Sequence, residues 1–210
     1  VIKTLTNKDL ASFWEQEFGK AGGMQKVKMT AGITAKIGRF LFSASAKRIL
    51  EQPKSTIDFD DIINSGKVLI CNVSKGRLGE DTAELFGVTI LAKLQLASLR
   101  RARMPQVQRR PFYIYVDEFQ NFATDSFETI LSEARKYKLS LIIGNQFMTQ
   151  LKDNIREAIL GNVGTIISGR LGITDAELME RRFRPTFEAE DLTRLPNYHW
   201  IASVMIKGVP

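Results

Sequence analysis

The feature that most constrains the fold is a series of short apolar runs that begins after Ile57, each followed by a helical stretch. The runs are rich in β-branched and aromatic residues and cover 67–73, 112–116, 139–143, 163–167 and about 199–206. The helical stretches cover about 80–103, 126–137, 153–160 and 175–183. Strands that are apolar almost throughout and alternate with helices are typical of a parallel sheet covered on both faces. The sequence therefore predicts a doubly wound α/β domain over 57–210.

Residues 1–56 have a different pattern, with helical spacing and no strand signal. Thr6 or Asn7 can cap a first helix, whose apolar face carries Leu10, Phe13, Trp14 and Phe18. Glycines over 19–23 interrupt this helix, and a second helical stretch continues until Pro53. We expect 1–56 to form a helical segment next to the α/β domain.

The composition is that of a globular protein, with 44% hydrophobic and 25% charged residues. The single cysteine, Cys71, excludes an internal disulfide and lies in an apolar run, where we expect it to be buried. A reducing, cytoplasmic compartment is the default expectation. No apolar stretch approaches the ~18 residues of a membrane-spanning helix. The only histidine, His199, has no cysteine or second histidine near it in the sequence with which to hold a metal.

The formal net charge of +7 favours a polyanionic partner, above all DNA. The cations form three clusters: Lys26, Lys28, Lys36, Arg39, Lys47 and Arg48; Arg100, Arg101, Arg103, Arg109 and Arg110; and Arg181, Arg182 and Arg184. Each cluster alone is more typical of a solvated face than of a DNA contact. The charge therefore indicates DNA binding without assigning a surface to it.

The polar residues at the strand ends carry the chemistry, because the working residues of such sheets lie at the carboxyl ends of the strands. Asp117 and Glu118 directly follow the run 112–116. Nucleotide hydrolysis needs one carboxylate for the magnesium shell and a second that faces the attacking water. The alternative is a pair of solvated acids that opens a loop, but the apolar run that leads straight into the pair favours the functional reading.

Other strand ends add weaker signals. Gln146 follows the run 139–143, where an uncharged amide can sense a phosphate or orient water. Arg170 follows the next run, and Arg135 lies late in the helix before Gln146. An arginine can stabilise phosphoryl-transfer charge at a neighbouring subunit's site, although most single arginines are surface residues.

The loop after 67–73 is Ser74-Lys75-Gly76-Arg77-Leu78-Gly79-Glu80. Its glycines and the helix that follows could offer backbone N–H groups to an anion, or it is an ordinary strand-to-helix turn. It is not a phosphate-binding loop, because the spacing G-x-x-x-x-G-K-[ST] occurs nowhere in the sequence.

In this order, the strand ends resemble those of the FtsK–HerA superfamily of DNA-pumping ATPases. The resemblance is closer to the coupling proteins of conjugation and type IV secretion (TraD/TraG type). It rests on 112–122 (FYIYVDEFQNF), 131–137 (LSEARKY), 144–146 (GNQ), 150–151, 161–165 (GNVGT) and 169–176 (GRLGITDA), with 74–80 upstream. It covers roughly 57–210 and implies a RecA-like P-loop NTPase core, here partial, with 1–56 in an inserted all-α region.

The resemblance also implies roles for individual residues. Asp117 would hold magnesium and Glu118 would be the catalytic base, with Gln146 as sensor. Arg135 would be the arginine finger of a neighbouring subunit. Further nucleotide contacts would come from Arg170, Ser74 and Lys75. The cofactors implied are ATP and Mg²⁺.

The implied function is an ATP-driven DNA translocase that pumps DNA, or a protein–DNA substrate, to a secretion channel. The implied partners are DNA, further copies in a hexamer, and secretion-channel and relaxosome proteins. Two alternatives stay open: a non-catalytic recognition or assembly module, and a protein-secretion or pilus ATPase of the same superfamily.

Because the phosphate loop is missing, we expect this chain to be a piece of a longer ATPase and to be inactive alone. We expect the parent protein to be cytoplasmic and anchored at the inner membrane through a further segment.

Overall fold

The structure, a computed structural model, describes residues 6–41 and 43–206. The chain divides into two compact units. One consists of residues up to Ser55 together with Val73–Ala83, and the other of Thr56–Asn72 and the chain from Glu84 onward.

The amino-terminal half of the chain is helical. Its helices are α1 (Lys8–Ser12), α2 (Gly23–Leu41), α3 (Ala44–Leu50), α4 (Phe59–Ser65), α5 (Lys75–Leu78) and α6 (Glu80–Arg100), with a π-helical turn over Phe13–Phe18. Asn7 is the N-cap of α1, and its side chain accepts the backbone N–H groups of Asp9 and Leu10 at 3.0 and 3.1 Å. The predicted helical character before Pro53 is therefore confirmed for the described residues, and Asn7 is the cap.

The carboxyl-terminal half alternates strands and helices. Its elements are β1 (Phe112–Val116), α7 (Ser126–Glu133), β2 (Leu139–Ile143), α8 (Asp153–Asn162), β3 (Ile166–Ser168), α9 (Ile173–Phe183), α10 (Ala189–Thr193) and β4 (Ile201–Ser203). Short 3-10 turns at Arg101–Arg103 and Ala134–Tyr137 extend α6 and α7. The predicted runs 112–116 and 139–143 are strands with those boundaries, whereas α10 has no counterpart in the prediction.

β1 and β2 form a parallel pair in the register Phe112↔Leu139 to Val116↔Ile143. One face of β1 packs into the core, where Ile114 and Val116 are buried. Its other face carries Tyr113 and Tyr115, which are 58% and 74% exposed. The prediction of a strand buried on both faces is therefore wrong for this strand in the described chain.

β3 and β4 form a second pair, which is antiparallel. It packs on a core of Leu160, Ala176, Met179, Phe183, Leu192 and Ile201, drawn from α8, α9, α10 and β4. Within the described residues the two pairs are separate sheets, so one continuous parallel sheet is not formed. A RecA-like core stays a prediction.

The run 67–73 is not a strand. Val68 and Ile70 are 86% and 89% exposed, and Cys71 is exposed as well. A strand is stable only when a neighbouring strand pairs with its backbone groups, and no described strand pairs with this segment. The predictions of a buried strand and a buried Cys71 are therefore wrong for this structure.

A buried arginine joins three segments of the second unit. Arg101 is 2% exposed, and its guanidinium donates to Asn64 Oδ1 at 3.0 Å and to the carbonyls of Arg110 and Tyr137 at 2.9 and 2.8 Å. It also donates to the carbonyl of Ile63. Burial lowers the pKa of this guanidinium. Arg101 thus fixes the end of α4 against the segments that lead into β1 and β2.

Among the described residues, one helical stretch, Glu80–Arg103, has the length and composition of a membrane span. In the sequence this stretch is not a continuous apolar run, because polar residues such as Lys93 and Gln95 divide its apolar residues into short groups. The core helix of a globular protein passes the same test, and 44% of the apolar window is buried in the protein.

Candidate active site

The ends of β1 and β2 lie together because the strands are parallel and in register. The loops that follow them are hydrogen-bonded to each other. The N–H of Gly144 donates to the carbonyl of Val116 at 2.8 Å, and the N–H of Phe119 donates to the carbonyl of Gly144 at 2.9 Å. These bonds fix the two residues between Val116 and Phe119, which are Asp117 and Glu118.

Glu118 is the centre of this cluster. Its backbone is left-handed, with φ 49° and ψ 48°, a conformation that costs a non-glycine residue about 1–3 kcal/mol and is often found at functional sites. Its carboxylate accepts the side-chain amide of Gln146 on Oε1 and that of Gln120 on Oε2. Two amide donors therefore orient one acceptor-only carboxylate at the strand tips.

Sequence reasoning missed Gln120 as a site residue, although it lies only two positions after Glu118. It belongs to the 3-10 turn Phe119–Asn121, which brings its side chain back toward the strand tip. Its Oε1 is buried with no hydrogen-bond partner among the described residues. Only the N–H group of this amide therefore takes part in the cluster.

The loop after Glu118 is anchored by aromatic packing. Phe119 is fully buried, and its ring meets that of Phe127 edge-on with centroids 4.8 Å apart. Phe122 is also buried and packs against Gly87 of α6, where a Cβ would meet its ring. Because any larger residue at position 87 would displace Phe122, the loop that carries Gln120 depends on this close approach.

Asp117 is exposed at the tip of β1, and its Oδ1 accepts the backbone N–H of Glu118 at 3.0 Å. Among the described residues, no group of three or more His, Cys, Asp or Glu side chains could enclose a metal ion. Mg²⁺ does not require such a cage, since it is usually bound through one or two carboxylates with water and substrate phosphates. An exposed carboxylate beside Glu118 fits that mode of binding.

A second acid that sequence reasoning missed, Asp175, supports the loop after Gln146. It is only 4% exposed in α9, and its carboxylate accepts the N–H groups of Met148 and Thr149 at 3.2 and 3.1 Å. These residues begin the 3-10 turn Met148–Gln150. An acid in the first turn of a helix is ordinary in sequence, so only the fold distinguishes this one.

Arg135 does not lie at the acidic tip. It is exposed in the 3-10 turn that precedes β2, whereas Gln146 follows β2. A strand of five residues is about 17 Å long. Arg135 therefore lies near the amino-terminal ends of the strands, and Glu118 lies at their carboxyl ends. Arg170 is exposed after β3, in the other sheet, and the described residues offer its side chain no hydrogen bond or ion pair.

Ser74 and Lys75 belong to the first unit. Ser74 precedes α5 as its N-cap residue, and the Lys75 ammonium pairs with Glu80 at 2.8 Å. That hydrogen bond and charge lower the pKa of Glu80. A role for Ser74 or Lys75 toward a nucleotide stays a prediction.

The central arginine cluster is not one exposed surface. Arg101 is buried, and Arg100 forms a two-bond ion pair with Asp60 at 2.9 and 2.6 Å. Arg103 and Arg110 stay exposed. The grouping of Arg101 with surface cations was therefore wrong, because sequence spacing does not reveal which arginine of a run points into the core.

Comparison with known proteins finds a family match for the segment that contains the acidic site. Residues 111–182 match the family described as the TraM recognition site of TraD and TraG. The matched segment includes Asp117, Glu118, Gln146, Arg135 and Arg170. No curated protein matches the chain. The family match supports a conjugative coupling protein-type family.

Proposed function

We propose that the strand tips of β1 and β2 are the acidic half of an ATP-hydrolysing site in a motor that moves DNA. The observation that carries the proposal is the carboxylate of Glu118, held by the amides of Gln120 and Gln146 next to Asp117. In this proposal the motor belongs to a conjugative coupling protein, which delivers DNA or a protein–DNA substrate to a secretion channel.

Glu118 has the properties of a general base. As a carboxylate it can take a proton from a water molecule, and both of its oxygens are already oriented by amide donors. Gln146 is exposed, so its amide can also meet a ligand that arrives at the tip. The left-handed backbone at Glu118 adds to the orientation, because it turns the chain sharply at the end of β1.

Asp117, at the carboxyl end of β1, would be the carboxylate that holds Mg²⁺. When bound with ATP, Mg²⁺ neutralises charge that develops on the transferred phosphoryl group. The remaining phosphate contacts would come from a phosphate-binding loop, which this sequence lacks. The 210 residues alone are therefore expected neither to bind ATP tightly nor to hydrolyse it.

Arg135 fits a site in which two copies cooperate. It lies near the amino-terminal end of β2, about one strand length away from Glu118 at the carboxyl ends of the strands. It therefore cannot reach the same chain's site without rearrangement, but it is exposed and free to meet a neighbouring copy. This is the arrangement of an arginine finger supplied in trans, and it motivates the proposal of a ring, with a hexamer as the expected form.

The test is ATP turnover by the gene product that contains this chain together with a phosphate-binding loop. We expect hydrolysis that requires Mg²⁺ and is stimulated by DNA. Glu118→Gln should lower kcat by at least about 100-fold, the lower end of what a general base contributes. The matched control is Glu128→Gln, an exposed acid of α7, which should keep the wild-type rate.

Two results would contradict the proposal. One is a Glu118→Gln protein that hydrolyses ATP as fast as the control. The other is Mg²⁺-dependent turnover by the 210 residues alone that Glu118→Gln abolishes, because the site would then be complete without a phosphate loop.

A second candidate function is a non-catalytic recognition module for a relaxosome protein. The observation that favours it is the description of the matched family, a recognition site for TraM. The turnover assay separates the two candidates when it is combined with a binding assay. A chain that binds such a protein with unchanged affinity after Glu118→Gln, in a gene product without ATPase activity, would be a recognition module.

A further inference from the structure

A pocket lies on the second unit, away from the strand tips of β1 and β2. It has a volume of about 540 Å³ and lies between the end of α9, with the segment 184–187 after it, and residues 202–205 at the end of β4 and just after it. This volume is in the range of sites that enclose a small ligand or a few residues of a peptide. None of the residues assigned to the acidic site lines it.

The charge of the pocket is one-sided. Arg181, Arg182 and Arg184 line it, and no acidic residue does. Arg181 pairs with Glu157 at 3.1 Å and Arg184 with Glu180 at 2.8 Å, and both arginines are exposed. Exposed ion pairs of this kind contribute little free energy. Either guanidinium can therefore turn to a carboxylate of another molecule at little cost.

Arg182 is the fixed member of the three. Its two terminal nitrogens donate to the carbonyls of Leu160 and Val163, at 3.1 and 2.8 Å, which holds the side chain against the end of α8. Its Nε is buried and has no acceptor among the described residues. Arg182 therefore forms a fixed wall of the pocket and is not free to turn to a ligand.

The rest of the lining favours a peptide over nucleic acid. Pro185, Phe187 and Met205 contribute apolar surface, and Ala202 and Ser203 of β4 line the same pocket. A short peptide can place carboxylates and apolar side chains in one pocket of this kind, whereas a DNA duplex is too wide to enter a cavity of this size.

We propose that this pocket binds an acidic peptide segment of a partner protein. Its carboxylates pair with Arg181 and Arg184, and its apolar side chains pack on Phe187 and Met205. The proposal goes beyond the motor function and does not rest on it, since it uses none of the residues of the acidic site.

The test uses a fluorescent eight-residue peptide that alternates glutamate with valine or leucine, and a second peptide with lysine in place of glutamate. Fluorescence polarisation with the 210-residue chain should show saturable binding of the acidic peptide and none of the lysine peptide. Arg181→Ala with Arg184→Ala should weaken binding by about tenfold or more. In NMR spectra, the acidic peptide should shift the amides of Thr186 and Ser203.

The matched control is Arg194→Ala. Like Arg184, Arg194 is exposed and pairs with a glutamate four residues before it, Glu190, but it does not line the pocket. This variant should bind the peptide like wild type. Equal weakening by Arg194→Ala, or an absence of shifts at Thr186 and Ser203, would overturn the proposal. So would a DNA oligonucleotide that displaces the peptide and depends equally on Arg181 and Arg184.

Discussion

Two mostly apolar runs behave differently in this protein. The run 112–116 forms β1, pairs in parallel with β2 and buries Ile114 and Val116. Residues 67–71 of the run 67–73 are also mostly apolar, yet they form no strand and leave Val68 and Ile70 almost fully exposed. Residues 67–71 and 112–116 belong to the same compact unit.

The difference shows that strand propensity acts only through a partner. β-branched residues fit a pleated and half-buried surface, but their backbone groups need a neighbouring strand to be satisfied. The run 112–116 has that neighbour because α7 returns the chain to β2 in register. The run 67–71 follows the short helix α4, and no described strand lies beside it.

The largest loss of stability should come from substitution of Arg101. This residue holds the end of α4, which precedes the run 67–73, against the segments before β1 and β2. Arg101→Met removes the donors to the buried carbonyl of Ile63 and to the part-buried carbonyls of Arg110 and Tyr137. We expect a loss of about 4 kcal/mol in the free energy of unfolding, because each unsatisfied group costs about 1–3 kcal/mol.

Urea unfolding followed by circular dichroism measures this loss. Arg103→Ala is the control, since Arg103 is an exposed arginine of the same cluster, and it should change the free energy of unfolding by less than about 0.5 kcal/mol. Equal effects of the two substitutions would mean that Arg101 does not hold these segments together.

The next prediction compares the loss of stability when an isoleucine is shortened in each of the two runs. Ile114→Ala removes a buried side chain of β1, which is 7% exposed, and should lower the free energy of unfolding by about 3 kcal/mol. Ile70→Ala removes the same atoms from a side chain that is 89% exposed and should cost less than about 0.5 kcal/mol. A loss above about 2 kcal/mol for Ile70→Ala in urea unfolding would show that 67–71 is buried in solution, and the contrast would disappear.

Much of the architecture could be predicted because it depends on local chemistry. The strands β1 and β2 and the cap at Asn7 are all encoded within a few neighbouring residues. The proximity of Gln146 to Glu118 follows from the predicted parallel arrangement, since two parallel strands in register have their carboxyl ends side by side.

The rest depends on contacts between residues far apart in the sequence. Nothing near Arg101 distinguishes it from Arg100 or Arg103, because its burial results from acceptors on three separate segments. Asp175 likewise becomes a support for the loop after β2 only when α9 packs beside that loop. The antiparallel direction of β4 depends on how the chain returns after α10, which the spacing of apolar residues does not encode.

Gln146 and Gln120 hold the carboxylate of Glu118 at the strand tips, and NMR of the side-chain amides of the 210-residue chain measures both hydrogen bonds. We predict that the amide protons of Gln146 and Gln120 are shifted downfield and exchange slowly with water relative to those of the exposed Gln106. In Glu118→Ala both should move to the values of Gln106, with the backbone spectrum of β2 unchanged. Amide signals of Gln146 and Gln120 that match those of Gln106 in the wild-type chain would show that neither amide holds the Glu118 carboxylate.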